Sequence, residues 1–529
     1  MEKNKKQALI LSIVAVVTLI ALVVGATFAY FKAQGGTGKS TEVKVTTYTT
    51  DMLTFTTGSA ISLYADQSSF GQEKGSLSGE TFAKATLVAN NKTNEATDNY
   101  YVYFNIENNT FRYTLGNDKP ELILTVTGPD GEVTELPGLT HTTVQDRENK
   151  SISGFDVTTT NGLITIANKK TITATPRAEE EYKLKLTFVN YEGDQTANAT
   201  STLSAKVMIQ KNMIPFHETC NDNTLACHTA KLYTGTQGEN GIYYHDATLT
   251  NGAGDNSYRY SGASESVNNF VCFGTNTTPC PTDNLYRIIG VIDGKVKLIK
   301  YDYASSNLLG TDGDYSTYPY PNSYPTYKGE LTIINRYSWT NSTSKNTWST
   351  SLLNQTNLNQ NFITNIGAEW AAKIATTTWK VGGNTNNNIA NQPAKTAYQN
   401  EIVNPIATNS TDNKTEYSAK IGLMYVSDYG FAAAPSAWTT PLYNSSKNDY
   451  SLSSVTSVNW MYMGFSEWTI SRNADLEIDA FYVYASGSVI GRTDLGVMEG
   501  FGVRPVFYLS SSVAYVEGDG TQSSPIRIN

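Results

Sequence analysis

The chain has 529 residues, 16% of them charged, with 34 Tyr, only 16 Pro and a formal net charge of -9; its pI is near 5.2. That length allows roughly three average domains with cores of their own, and the acidic balance, without a basic face or stripe, excludes a nucleic-acid partner. A texture rich in Tyr, Asn, Thr, Ser and Gly suits sheets joined by polar loops, so a mainly β protein is expected.

At the start, Lys3, Lys5 and Lys6 precede "ALILSIVAVVTLIALVVGATFAYF", a charge-free run from Ala8 to Phe31. About twenty apolar residues cross a bilayer as a helix, and the basic flank would stay inside. Two outcomes stay open: residues 8–31 anchor the protein in the membrane, or a signal peptide is cut between Ala29 and Tyr30, where small residues offer a site. Either way the rest of the chain is expected outside the cytoplasm. The terminal "SSPIRIN" carries no hydrophobic tail and no LPxTG-type sorting signal, so covalent attachment to a cell wall at that end is not expected.

Residues 1–32 are thus the signal or anchor and residues 33–42 a Gly/Lys/Ser linker. From residue 43 to 213 strand patterns follow one another. In "YYVYFNIENNTF", Tyr101, Tyr103 and Asn105 alternate with Val102, Phe104 and Ile106, the period-two signal of a sheet with two different faces. "YKLKLTFVNY" and "STLSAKVMIQ" repeat it. "GPDG" (Gly128 to Gly131) divides "LILTVT" from "EVTEL", and Asn161-Gly162 is expected to make a hairpin between "FDVTTT" and "LITIAN". About eight short strands over that length predict an antiparallel β-sandwich. The basic start, the run ending "GATFAYF" and the opening "STEVKVTTYTTDMLTF" together resemble the camelysin/TasA-type secreted proteins of Gram-positive bacteria over residues 1–213. The resemblance implies a jelly-roll-like sandwich, release by a dedicated signal peptidase and, in some members, polymerisation into biofilm-matrix fibres.

Beyond Pro215 the texture shifts to more Tyr, Trp and Gly with longer loops. "LYRIIGVIDGKVKLIKYDY" predicts a hairpin about Asp293-Gly294, and Ile363, Ile366, Trp370 and Ile374 fall at the spacing of one buried helix face. The Asn-rich "GGNTNNNIANQ" lacks the Lys-Ser/Thr ending of a phosphate-cradling loop. The order "NGIYYHD", "YRYSGA", "LYRIIGV", "KIGLMYVSDYGFA", "WTISR", "FYVYASGSV", "GFGVRPVFYLSSSV" and "GDGTQSSPIRIN" looks like an uncharacterised module of gut Firmicutes surface proteins, over residues 229–529. Its ending, Gly502-Val503-Arg504-Pro505 before a hydrophobic strand, is similar to the last strands of C-type-lectin-like domains. That resemblance implies an α+β fold and leaves the function open, because one fold hosts unrelated functions.

The stretch "HETCNDNTLACH" holds half the cysteines and half the histidines. A metalloprotease helix would need a second His four residues after His217, where Asn221 stands. A zinc site from His217, Cys220, Cys227 and His228 has the right donors, but Cys227 and His228 are adjacent and the compartment is oxidising. Local disulfides, Cys220–Cys227 and Cys272–Cys280, are the expectation; long-range pairings of the same four residues remain open. Of the other histidines, His141 sits in a polar loop and His245 beside Asp246, which is placed to orient it. Neither a nucleophile elbow nor an unpaired Cys is present, and the E-P-N, Q-P-D and W-N-D signatures of calcium-dependent lectins do not occur, leaving Asp312, Asp314 and Asp519 as turn residues. No catalytic residue, metal or cofactor is therefore assigned.

Surface recognition remains. The late loops that form the ligand face in C-type-lectin-like receptor binders correspond to "NADLEIDA" and "SVIGRTDLGVME", which suggests Arg472, Asp475, Glu477, Arg492, Asp494 and Glu499 as contacts and Trp460 and Trp468 as aromatic anchors, unless both Trp are core. Arg504 reads as a structural residue beneath them. The sequence thus predicts a secreted or membrane-anchored bacterial surface protein: a β-sandwich stalk (43–213), a disulfide-marked junction (214–284) and a C-type-lectin-like head (285–529) for adhesion to a protein or glycan ligand. Self-assembly of the sandwich into a fibre is the alternative, and an extracellular enzyme the third.

Overall fold

A computed structural model describes residues 51–71, 77–90, 95–116, 119–136, 139–220, 223–316, 335–340, 345–385, 393–405, 415–442, 456–491 and 496–529. The apolar run, the linker and the Ala29–Tyr30 bond lie outside the described residues, as do Arg492 and Asp494. Among the described residues no helix is long and apolar enough to cross a membrane. The protein is mainly β with antiparallel sheets, and the chain divides into two compact units, the second made up of Asn212–Asn529 with the short pieces Glu135–Thr140 and Gly162–Ile164.

The first unit carries β1 (Met52–Thr57), β2 (Ile61–Tyr64), β3 (Leu77–Val88), β4 (Ala96–Asn109), β5 (Leu122–Gly128), β6 (Gly131–Glu132), β7 (His141–Gln145), β8 (Ser151–Asp156), β9 (Gly162–Ala174), β10 (Arg177–Phe188) and β11 (Thr202–Gln210). They form one sheet in the order β1-β3-β10-β5-β8-β7, with β6 on β5, and a second in the order β2-β11-β4-β9. Alternation drives the layering: Leu184 and Leu186 on β10 are buried while Lys183 and Lys185 between them are exposed. Inward residues of the two sheets, among them Val102, Phe104 and Ile106 of β4, form the sandwich interior.

Two turns part ways with each other. "GPDG" closes the β5–β6 hairpin, pairing Gly128 with Gly131. Asn161-Gly162 does not make the expected hairpin, because β8 pairs with β5 and β7 whereas β9 belongs to the other sheet. The link instead crosses between sheets, and Asn109 holds it by donating from Nδ2 to the carbonyls of Val157, Thr158 and Thr160.

The second unit is built on a sheet of β12 (Ile242–His245), β13 (Ser257–Tyr260), β15 (Leu285–Ile292) and β16 (Lys295–Lys300), with β14 (Phe270–Cys272) on β15 and the late strands Val506–Tyr508 and Ile421–Gly422 beyond β16. The β15–β16 hairpin turns at Asp293 and Gly294, both with positive φ (50° and 70°), the geometry a two-residue hairpin turn demands. Gly290 lies so close to β13 that a Cβ there would sit 2.2 Å from the Tyr258 carbonyl oxygen, so this position admits no side chain without separating the strands. The helix-face residues Ile366, Trp370 and Ile374 are buried. Their segment is three short helical pieces, Leu353–Phe362 (wide, π-type), Ile363–Asn365 and Ala368–Ala372, interrupted by Gly367 at φ 84°.

Both local disulfides are present, Cys220–Cys227 and Cys272–Cys280, with Cα separations of 5.6 and 5.9 Å. The first ties the short helix Phe216–Thr219 to the helix Leu225–Lys231. The histidines beside it are packing residues: His217 Nδ1 lies 2.6 Å from the Tyr258 hydroxyl, and His228 stacks on Tyr515 with ring centres 3.7 Å apart.

Candidate functional site

All seven Trp lie in the second unit and all are buried. This corrects two of the expected contacts. Trp460 and Trp468 are each 1% exposed, with indole N–H groups donating to the carbonyls of Tyr260 and Tyr337; an indole buried and hydrogen-bonded on the core side has no surface to offer a ligand. Arg472 is also interior, at 1% exposure, on the strand Glu467–Asn473, and burial lowers its pKa to about 10. Asp475 and Glu477 are exposed and Glu499 half-buried. Arg504 is held bidentately by Glu467, both contacts at 2.6 Å, and donates to the Met461 carbonyl. Burial raises the Glu467 pKa and Arg504 opposes that rise.

His245 is likewise interior. Its Nδ1 accepts from the Ala253 amide at 3.0 Å, its ring packs against Phe431 and Trp438, and burial holds it neutral with a pKa of about 3. Asp246 does not orient it, because its carboxylate is engaged by Thr248 and the Leu249 amide. Asp519 takes the turn role expected of it, accepting from Thr521, whereas Asp314 is buried and accepts from the Leu353 amide. Among the described residues no cluster of His, Cys, Asp or Glu is arranged to hold a metal ion.

A cleft of about 220 Å³ opens in the second unit where β13, the β15–β16 hairpin and the strand Thr377–Lys380 approach the start of the helix Val426–Ala432. Strand alternation delivers its floor: Arg259 faces the cleft while Tyr258 and Tyr260 on either side face the core. On β16, Lys295 and Lys297 project opposite to Val296 and Leu298. The helix is buried along its whole length, which only an element surrounded by protein sustains. Asp428 on its first turn accepts from the Tyr425 amide at 2.9 Å and so points its carboxylate back beneath the cleft.

There Asp428 meets two cations. Lys297 Nζ lies 2.5 Å from Oδ2 and Arg259 donates to Oδ1 at 3.3 Å. Arg259 also donates to Asp255 at 2.8 Å and to Ser257. Side-chain exposure is 1% for Lys297, 2% for Asp428 and 4% for Arg259, so the charges persist only through mutual compensation. Burial lowers the Lys297 pKa, with Asp428 opposing; burial also opposes the Arg259 charge, but Asp255 and Asp428 outweigh it and raise its pKa. Asp255 resists burial through Arg259 and falls to about 2. The Lys297 ammonium sits among aromatic rings, 4.5 Å from the centre of Tyr425 and 5.4 Å from Tyr508, a setting that stabilises a desolvated cation.

Behind this floor Glu401, fully buried, accepts from Ser471 Oγ at 2.6 Å and from the Ser427 amide at 3.1 Å; burial raises its pKa to about 7. At the mouth stand Lys295, which forms no ion pair among the described residues, and Lys380, paired with Glu416. Burial and the nearby Asp255 raise the pKa of Asp293 beside them. Thr377 Oγ1 is enclosed without a hydrogen-bond partner.

Sequence reasoning missed every residue of this floor. One signal was visible: Asp428 is the only charged residue of the helix Val426–Ala432, a position where charge is sustained only by a partner. Compared with protein-family models, curated proteins and solved structures, the chain matches none.

Proposed function

We propose that this is an extracytoplasmic bacterial surface protein whose second unit recognises a ligand, with the first unit as its stalk. The reading extends the resemblances stated above: a jelly-roll-like, TasA-type sandwich carrying a C-type-lectin-like head. The two disulfides fit an oxidising compartment, as does the apolar run with its basic flank. The observation that carries recognition is the cleft itself, a concave site with aromatic walls and a few convergent polar groups, the usual anatomy of a binding site. The expected contact surface accordingly moves from the buried Trp460, Trp468 and Arg472 to Tyr398, Tyr425, Tyr508 and the charges below them.

Probing an array of glycans and extracellular proteins with the whole chain tests this. Binding to a limited set of ligands is expected, lost on Thr378→Trp, which plugs the mouth at an exposed position, with the melting temperature unchanged. Absence of binding, or binding indifferent to the plug, would overturn the reading.

A further inference from the structure

Resting on that reading of the cleft, the donor inventory identifies the ligand group that enters it. The floor carboxylates are spent on protein partners: Asp428 on Lys297, Arg259 and the Tyr425 amide, and Asp255 on Arg259 and Ser257. The donors are not. Lys297 makes one of the three hydrogen bonds open to an ammonium, and Arg259 three of the five open to a guanidinium. Thr377 contributes an enclosed hydroxyl without a partner, and Lys295 a cation that feels the nearby Asp293 but forms no ion pair among the described residues. Four cations line the cleft against three carboxylates, and Glu416, which pairs Lys380, brings the charges into balance.

We infer that the cleft takes a monoanionic carboxylate borne on a small ring or aliphatic body, the carboxylate meeting Lys295 and the Thr377 hydroxyl and the body lying on the Tyr425 and Tyr508 rings. In a recess whose own charges balance, a monoanion met by Lys295 and a neutral hydroxyl adds one charge, whereas a phosphate dianion would add two to a low-dielectric site. The aromatic faces favour a ligand with a body over a bare inorganic ion. The carboxylate has two sources, a free organic acid or the end of a longer chain.

Calorimetric titration of the whole protein separates them. The probes are glucuronate and benzoate, each beside its neutral amide, and a peptide with a free C-terminal carboxylate beside the amidated peptide. Each acid that binds is expected to bind at least tenfold tighter than its amide. Lys295→Gln should weaken the acid by five- to tenfold and Thr377→Val by two- to fivefold, leaving the amides unaffected; both positions are only partly buried, and unchanged melting confirms the fold. Binding of the free acids points to a small-molecule source, and binding of the peptide acid alone to a chain end. Amides binding as well as acids, no acid binding at all, or indifference to both substitutions would overturn the inference. Array ligands that still depend on the open mouth of the cleft would leave recognition standing while this assignment fell.

Discussion

The two units answer the same question, where to put charge in a mostly β protein, in opposite ways. In the first, cations and carboxylates meet across the exposed face of β3 and β10, as in Lys84 with Glu179 and Glu181 and Lys185 with Glu80, with side-chain exposures between 32% and 68%. Among its described residues the one deep carboxylate, Glu121, is satisfied by neutral donors: Thr114, Gln195 and Asn198. In the second unit, Asp428 binds Lys297 and Arg259, and Glu467 binds Arg504, at exposures of 1–4%. A sheet with one wet face can shed its charge to solvent. The second unit buries charge as well, and where partners converge on it, as at Asp428, the convergence floors the cleft.

The contrast predicts unequal costs for removing one partner. Asp428→Asn takes from Lys297 its carboxylate partner and leaves Arg259 with Asp255 alone, so chemical denaturation should show a loss of about 3–5 kcal/mol in the second unit, the range for breaking a buried pair. A loss below about 1 kcal/mol would mean that water reaches the floor and the charges are not buried in the sense argued here.

Next comes pH. Glu401 has a pKa near 7 against an unfolded value of 4.5, so it contributes stability when protonated that is lost as pH rises from about 4.5 to 7. His245, at about 3 against 6.5 unfolded, contributes stability when neutral that is lost as pH falls from 6.5 to 3. The two slopes oppose each other between about pH 4.5 and 6.5, and the pair should leave a flat profile there. Glu401→Gln should unmask a stability that rises with pH through that window by up to about 3 kcal/mol, measured by denaturation at successive pH values. A profile unchanged by the substitution would show that Glu401 titrates normally.

Smaller is the clasp. Replacing Cys220 and Cys227 by Ala removes a short covalent loop and should lower stability of the second unit by about 2–3 kcal/mol, with the first unit unaffected. Smallest is the wet sheet: Lys185→Ala on β10 should change the melting of the first unit by less than about 1 kcal/mol. If Lys185→Ala cost as much as Asp428→Asn, the distinction between the units would collapse.

Local pattern made part of this protein legible. Alternation in β4, β10 and β11 located strands of the sandwich, the Asp293-Gly294 pair located the β15–β16 turn, and the close spacing of the cysteines anticipated both disulfides, because each rests on contacts within a dozen or so residues. Long-range partners were invisible to the same reasoning. Asn161-Gly162 has hairpin chemistry, yet which sheet receives the next strand depends on Asn109, some fifty residues earlier. Trp460 and Arg472 have the composition of a binding face, yet packing against strands far away in sequence turned them inward.

By itself, then, the sequence determined the β class, the positions of several strands and the charge balance, and favoured the local cysteine pairing, all from local period and composition. Only the tertiary structure decided which charges are buried. Lys297 and Asp428 stand 131 residues apart, and the free energy that makes a cleft floor of them arises only when folding removes both from water and gives each the other as its solvent.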